Sequence, residues 1–172
     1  MDQALAAVRR GADLRERAAT RLFQIVVVPA FEAAASWELF ESRTRGKVTS
    51  HEIIVTAWDQ TADSEKFQSP IERLKHGPRL EPSLRSDRVR TSAEDSATLL
   101  VALDRIHIPV APGEHPIGCD GTLYHFETGD PFCGSAFGWW EDGPPAWAPL
   151  VDAVRKVHAL LEKLAPSRVP RE

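Results

Sequence analysis

Residues 118–164 read GCDGTLYHFETGDPFCGSAFGWWEDGPPAWAPLVDAVRKVHALLEKL, and the fold turns on them. Asp120-Gly121 opens a strand over residues 122–126, Thr-Leu-Tyr-His-Phe, whose side chains suit a pleated surface. Gly129-Asp130-Pro131 signals a turn, because glycine permits positive φ and proline donates nothing to a ladder. Residues 135–140 then form the return strand. Centring the turn on Pro131 sets Phe126 opposite Ala136, Tyr124 opposite Gly138 and Thr122 opposite Trp140. In that register Tyr124 covers the bare backbone of Gly138, while Leu123, His125, Phe137 and Trp139 share the other face. Neighbouring strand residues alternate, so Trp139 and Trp140 point to opposite faces and one apolar layer cannot hold both. Gly143-Pro144-Pro145 ends the hairpin. Pro149 suits the first turn of a helix, where its missing N–H costs nothing. Leu150, Val151, Val154, Val157, Leu160, Leu161 and Leu164 make one helical stripe, stopped by Pro166. Residues 166–172 are a frayed tail.

The whole chain has 172 residues, 42% hydrophobic and 27% charged, enough for one domain with a real core. A net charge of −4 disfavours a dedicated nucleic-acid binder, and the basic run from Arg79 to Arg90 lacks aromatics on which bases could stack. Charge is unevenly placed. Residues 106–154 hold no lysine or arginine against seven acids, Glu114, Asp120, Glu127, Asp130, Glu141, Asp142 and Asp152. Residues 66–90 hold seven bases against three acids. Either the two stretches face each other or the acidic one steers a basic protein partner.

Cys119 and Cys133 fall at opposite ends of the first hairpin strand, too far apart to bridge, which predicts two thiols and a reducing, cytoplasmic compartment. No segment reaches the length of a membrane span. Residues 22–31 (LFQIVVVPAF) imitate the apolar core of a signal peptide, but Asp13, Glu16, Gln24 and Glu32 argue for a buried strand instead.

Residues 1–20 read as an N-terminal surface helix with a thin stripe of Leu5, Val8 and Ala12, a stripe on which a second copy could pack to form a homodimer. Residues 21–165 make the single domain. Strands are expected over 22–28, 36–42 (with one wetter face) and 51–58, joined by a tight turn around Gly46. Residues 59–92 read as a long irregular segment with a helical turn near 71–74. Thr91 or Ser92 caps a helix whose apolar face is Leu99, Leu100 and Leu103. The fold class is α+β: an antiparallel sheet of about five strands (a three-stranded meander, a helix, then the C-terminal hairpin) with the last two helices packed on one face. The other face is expected to be wet or covered by the irregular segment.

His107, His115, Cys119, His125 and Cys133 lack the paired spacing of a zinc site, so no metal or cofactor is expected. Cysteine nucleophilic catalysis is disfavoured at Cys119, which sits beside Asp120 in a stretch without cations. Trp139, Trp140 and Trp147 with Glu141 and Asp142 form the candidate binding surface, since tryptophan is enriched at binding hot spots. Trp147 has a packing alternative, pinning the last helix to the hairpin. If the chain is an enzyme, its pocket lies between the sheet and residues 59–92 and uses His125 with Asp120 or Glu127.

The pattern DGTLYHF, WW, PPAW and closing helix resembles small uncharacterised bacterial proteins with a DGxxY strand, a tryptophan strand and a PxxW corner. The matching residues are Asp120, Gly121, Tyr124, Trp139, Trp140, Pro144 or Pro145, and Trp147, within the last third of the chain. The resemblance implies shared architecture and no activity. The leading expectation is a non-catalytic protein-binding domain acting through an acidic, Trp-bearing surface, by analogy of size and charge with immunity proteins that neutralise toxins.

Overall fold

The computed structural model describes residues 2–10, 19–71, 74, 81–113, 118, 120–130 and 133–167. Six antiparallel strands form one open sheet: β1 Ala19–Pro29, β2 Ala35–Thr44, β3 Lys47–Trp58, β4 Leu84–Thr91, β5 Thr122–Asp130 and β6 Cys133–Trp140. Their spatial order is β4-β3-β2-β1-β5-β6. Among the described residues they are accompanied by the α-helices α1 Asp2–Arg10, α2 Gln60–Gln68, α3 Ala93–Leu103 and α4 Ala148–Leu164. The α+β antiparallel architecture is therefore as expected, with one strand more.

The added strand is β4, LRSDRVRT, which pairs with β3 along its whole length. It carries no apolar alternation because it is an edge strand, and only Val89 reaches the core. The segment read as irregular also contains α2, which has no apolar face of its own. Its order comes from polar contacts. Asp59 Oδ1 caps it by accepting from the Ala62 N–H at 3.0 Å. Asp63 is buried and accepts from Trp58 Nε1 at 2.7 Å and from the Ser83 N–H at 2.9 Å. Ser92 caps α3, accepting from the Asp95 N–H at 3.0 Å.

One sheet face carries Phe23, Ile25 and Val27 of β1, Trp37 and Leu39 of β2, Ile53 and Val55 of β3, and Phe126 and Trp139 of the C-terminal hairpin. The stripe of α4 covers this face, with Val154, Val157 and Leu161 fully buried, and Leu99 of α3 joins them. The β2–β3 turn at Arg45 and Gly46 has φ of 51° and 79°, the positive pair that a tight hairpin demands.

The opposite face, expected to be wet or covered by residues 59–92, is packed by α1. Val8 is 0% exposed and packs with Val26 and Ala34. Ser36 Oγ donates to Val8 O at 3.1 Å and Gln24 Nε2 to Arg9 O at 3.1 Å, so the sheet satisfies carbonyls that the helix end leaves open. Strand β2 accordingly has no wet face: residues 35–41 are all buried, Glu38 included. Arg21 donates to Glu38 at 3.3 Å and to Glu127 at 3.2 Å, with Arg9 adding a bond to Glu127 at 3.0 Å. The apolar side of α1 is thus spent within the chain, leaving Gln3, Ala6, Arg9 and Arg10 outward. Helix α1 is described over Asp2–Arg10, residues 11–18 with Ala12 lie outside the described residues, and Ala19 and Thr20, expected to close the helix, belong to β1.

The β5–β6 register differs by one residue from the expected one. Tyr124 pairs with Trp139, His125 with Gly138 and Phe126 with Phe137, because Asp130 pairs with Cys133 and only two residues connect them. Gly129, at φ 90°, lets the ribbon close: a Cβ there would run into the Cys133 carbonyl oxygen. This pairing regroups the faces. Tyr124 stacks on Trp139 at 5.7 Å and 9°, and Phe126 on Phe137 at 6.5 Å and 17°, all on the α4 side. His125 takes the place expected for Tyr124, its Nδ1 3.1 Å from where a Cβ on Gly138 would stand.

Candidate functional site

Two regions collect chemistry, one at the C-terminal hairpin and one where β1, β2 and β3 meet α2. The first is the C-terminal corner. Trp139 is 1% exposed and Trp147 is buried, donating its Nε1–H to Pro109 O at 2.9 Å and meeting Phe137 edge-on at 5.5 Å. Both indoles pack the core, Trp147 in the pinning role that was its alternative. Trp140 is half-buried on the other face, lying over Gly118, where a Cβ would stand 2.7 Å from its Nε1. A side chain at Gly121 would also strike that indole, so the residues flanking exposed Asp120 hold it beside Trp140. Glu141 turns back to accept the Thr122 N–H. Asp142 keeps 89% of its side chain exposed while accepting from Arg155 Nη2 at 2.8 Å, and the same nitrogen donates to Glu141 O at 3.2 Å. Of the five residues expected to bind, Trp140, Glu141 and Asp142 therefore meet at this corner.

Strand β6 leads into the corner. It is the sheet's outer strand, its sequence CGSAFGWW has no charge and no proline, and residues 133–136 and 138 are exposed. The Glu141 N–H donates to Thr122 O at 2.8 Å, which sets the alternation. Odd-numbered residues of β6 aim their backbone groups at β5, and Gly134, Ala136 and Gly138 aim theirs away from the sheet. Natural edges are usually blunted by charge, proline or a cover. The opposite edge, β4, carries Arg85, Arg88 and Arg90. The thiol of Cys133 is exposed and outside any disulfide, while Cys119 lies outside the described residues.

The second region is a cleft of about 720 Å³ where β1 ends, β2 begins and β3 meets α2. It lies between the sheet and part of the 59–92 segment, where a pocket was expected, yet His125, Asp120 and Glu127 are not among its lining residues. Glu127 is engaged by Arg9 and Arg21, and His125 lies on the α1 side of the sheet. The histidine of the cleft is His158, projecting from α4 beside Glu162, with Nε2 4.0 Å from Glu162 Oε1. Trp37 meets its ring edge-on at 4.6 Å and donates Nε1–H to Ala165 O at 3.0 Å. Asp59 and Arg85 form an ion pair on the wall. The Ala62 N–H and then Arg85 hold the Asp59 carboxyl below its usual range. Among the described residues no cluster of metal-ligating groups occurs. No helix of the described residues is long and apolar enough to cross a membrane.

Burial holds His158 below the ordinary histidine value, opposed by Glu162. Burial, followed by the charge of Arg9, does the same to His125, opposed by Glu127. Both Nε2 atoms are buried without a hydrogen-bond partner. Unfolded histidines take up a proton near pH 6.5, before the folded ones do. Stability is therefore full above about pH 6.5 and falls as pH drops through and below that value. Urea midpoints measured between pH 8 and pH 5 should show this decline, and His158→Gln should flatten it. Glu162 is the charged group beside His158, and Glu32, Asp59 and Arg85 line the same cleft; an unchanged slope in the variant would assign the decline to His125 or to carboxylates.

No family model, curated protein or solved structure matches the chain.

Proposed function

We propose that the chain is a non-catalytic protein-binding domain that adds a strand of a basic partner along β6, beside Trp140 and the acids Asp120, Glu141 and Asp142. The observation that carries this reading is the unguarded edge. Gly134, Ala136 and Gly138 turn backbone donors and acceptors outward from a strand with no charge to repel an incoming chain. Main-chain pairing there supplies affinity. The half-buried indole and the carboxylates at one end supply selectivity for a positively charged segment. Because Glu141 and Asp142 also brace the corner, Asp120 is the carboxylate free to meet the partner first. Such a surface suits an immunity-type protein that covers a toxin.

Ala136→Pro tests the reading. It deletes one outward N–H without touching the β5 ladder, and an edge strand tolerates proline at such a position. The wild-type chain, Ala136→Pro and Asp120→Lys would be used to capture proteins from a bacterial lysate at two salt concentrations. A partner held by the wild type at low salt, and lost from both variants while their melting temperatures stay within a few degrees, supports the proposal. Identical capture by all three chains refutes it.

A further inference from the structure

We propose, resting on the reading of β6 as an open edge, that β6 pairs with β4 of a second copy of the chain and joins copies head to tail into one extended antiparallel sheet. Three features converge. The first is direction. Strands β4 and β6 end the strand order, and every neighbouring pair between them is antiparallel. Six alternating strands leave the two edges running opposite ways. A second copy laid alongside with the same face up therefore meets β6 in the antiparallel sense.

The second is the bonding pattern. The Asp59 N–H donates to Ser83 O at 2.9 Å, so Leu84, Ser86, Arg88 and Arg90 turn their backbone groups away from β3. Ser86 meets Thr56 on the α1 side of the sheet, the side that also holds Gly138. Outward backbone and side-chain face thus agree on the two edges. The third is charge. Residues 106–154 hold no lysine or arginine, so two β6 edges offer no cation to each other's acids. Two β4 edges would set Arg85, Arg88 and Arg90 against their own copies, and like charges across a ladder repel. Pairing β4 with β6 brings opposite signs together. Arg88 and Arg90 share Glu52 at 3.8 and 4.0 Å, and Arg90 keeps 83% of its side chain exposed. With Arg88 opposite Gly138, Arg90 falls opposite Ala136 and Arg85 beside Glu141. The small β6 residues leave room for the long side chains, and Arg88 lies diagonal to Trp140, whose ring suits a guanidinium.

Such a contact is heterologous, leaving one β6 and one β4 open, so assembly grows with concentration. Sedimentation of the full chain tests this. The wild type should form a concentration-dependent series that salt shortens. Ala136→Pro should stay monomeric, and so should Arg88→Pro, which deletes an outward N–H and a cation without touching the β3 ladder. Ala136→Lys and the double variant Arg88→Gln/Arg90→Gln, all at exposed positions, repeat the two blocks without proline; the double variant should associate about tenfold more weakly. Mixed together, Ala136→Pro and Arg88→Pro should form a dimer of one chain each and nothing larger, since one keeps β4 and the other β6. A monomeric wild type, a discrete dimer that survives either block, or a mixture that stays monomeric overturns the inference. A monomeric wild type that still captures a foreign strand, lost in Ala136→Pro, sinks the self-pairing alone. An assembling wild type that captures nothing foreign sinks the foreign partner alone.

Discussion

Trp139→Ala should cost about 3–5 kcal/mol of stability, and Trp140→Ala only about 1–2 kcal/mol. The two residues are adjacent and chemically identical, so the difference comes from the strand's alternation alone. Trp139 is packed between Tyr124 and the α4 face, and its removal leaves a large void there. Arg155 extends the same stack, its guanidinium 5.9 Å from the Tyr124 ring centre, so the loss would also loosen the grip of α4 on the corner. Trp140 lies on the other face against glycines and gives up less when truncated. Urea denaturation of the two variants measures the contrast directly. Equal losses would mean that both rings share one layer and that the pairing of Tyr124 with Trp139 is wrong.

Val8→Asp should be nearly as damaging, at about 3–5 kcal/mol, whereas Val8→Ala should cost about 2 kcal/mol. A carboxylate at a position with no solvent contact, against Val26 and Ala34, has no partner and cannot reach water without lifting α1. Lifting α1 would uncover Ser36 and Gln24, which hold its last carbonyls, and would remove Arg9 from Glu127. Thermal melting of both variants, with sedimentation at several concentrations, separates an internal role for the helix from an intermolecular one. A helix that only joined two copies would give a dissociated but equally stable chain in Val8→Asp.

What could be read from the residues followed apolar periodicity. The α4 stripe and the three meander strands carry strong patterns and lie where those patterns put them. Strand β4 and helix α2 could not be read this way. One is a charged edge held by backbone pairing, and the other is a polar helix held by the side chains of Asp59 and Asp63. A turn centred on Pro131 gives a register one residue off, because the connection is the pair 131–132 between Asp130 and Cys133, and Gly129 is the residue that cannot carry a side chain. Opposite burial of Trp139 and Trp140 was legible from alternation. The place of the cleft, between the sheet and residues 59–92, was legible too, but its lining was not, because it joins residues near 31, 59, 85 and 162 that only the folded sheet brings together. His158 and Glu162, four apart and off the α4 stripe, look like an ordinary solvated pair until Trp37 is placed beside them.

The position of β1 between β2 and β5 has a consequence for biosynthesis. Its pairing with β2 is available as soon as the first quarter of the chain leaves the ribosome. Its other side, flanking the apolar run from Phe23 to Val28, must wait for β5, about a hundred residues later. Until then the nascent sheet displays a sticky, unpaired rim, and completion requires closing a long loop, which is slow. The translating cell meets this chain as a half-built sheet whose inner edge stays open until β5 emerges.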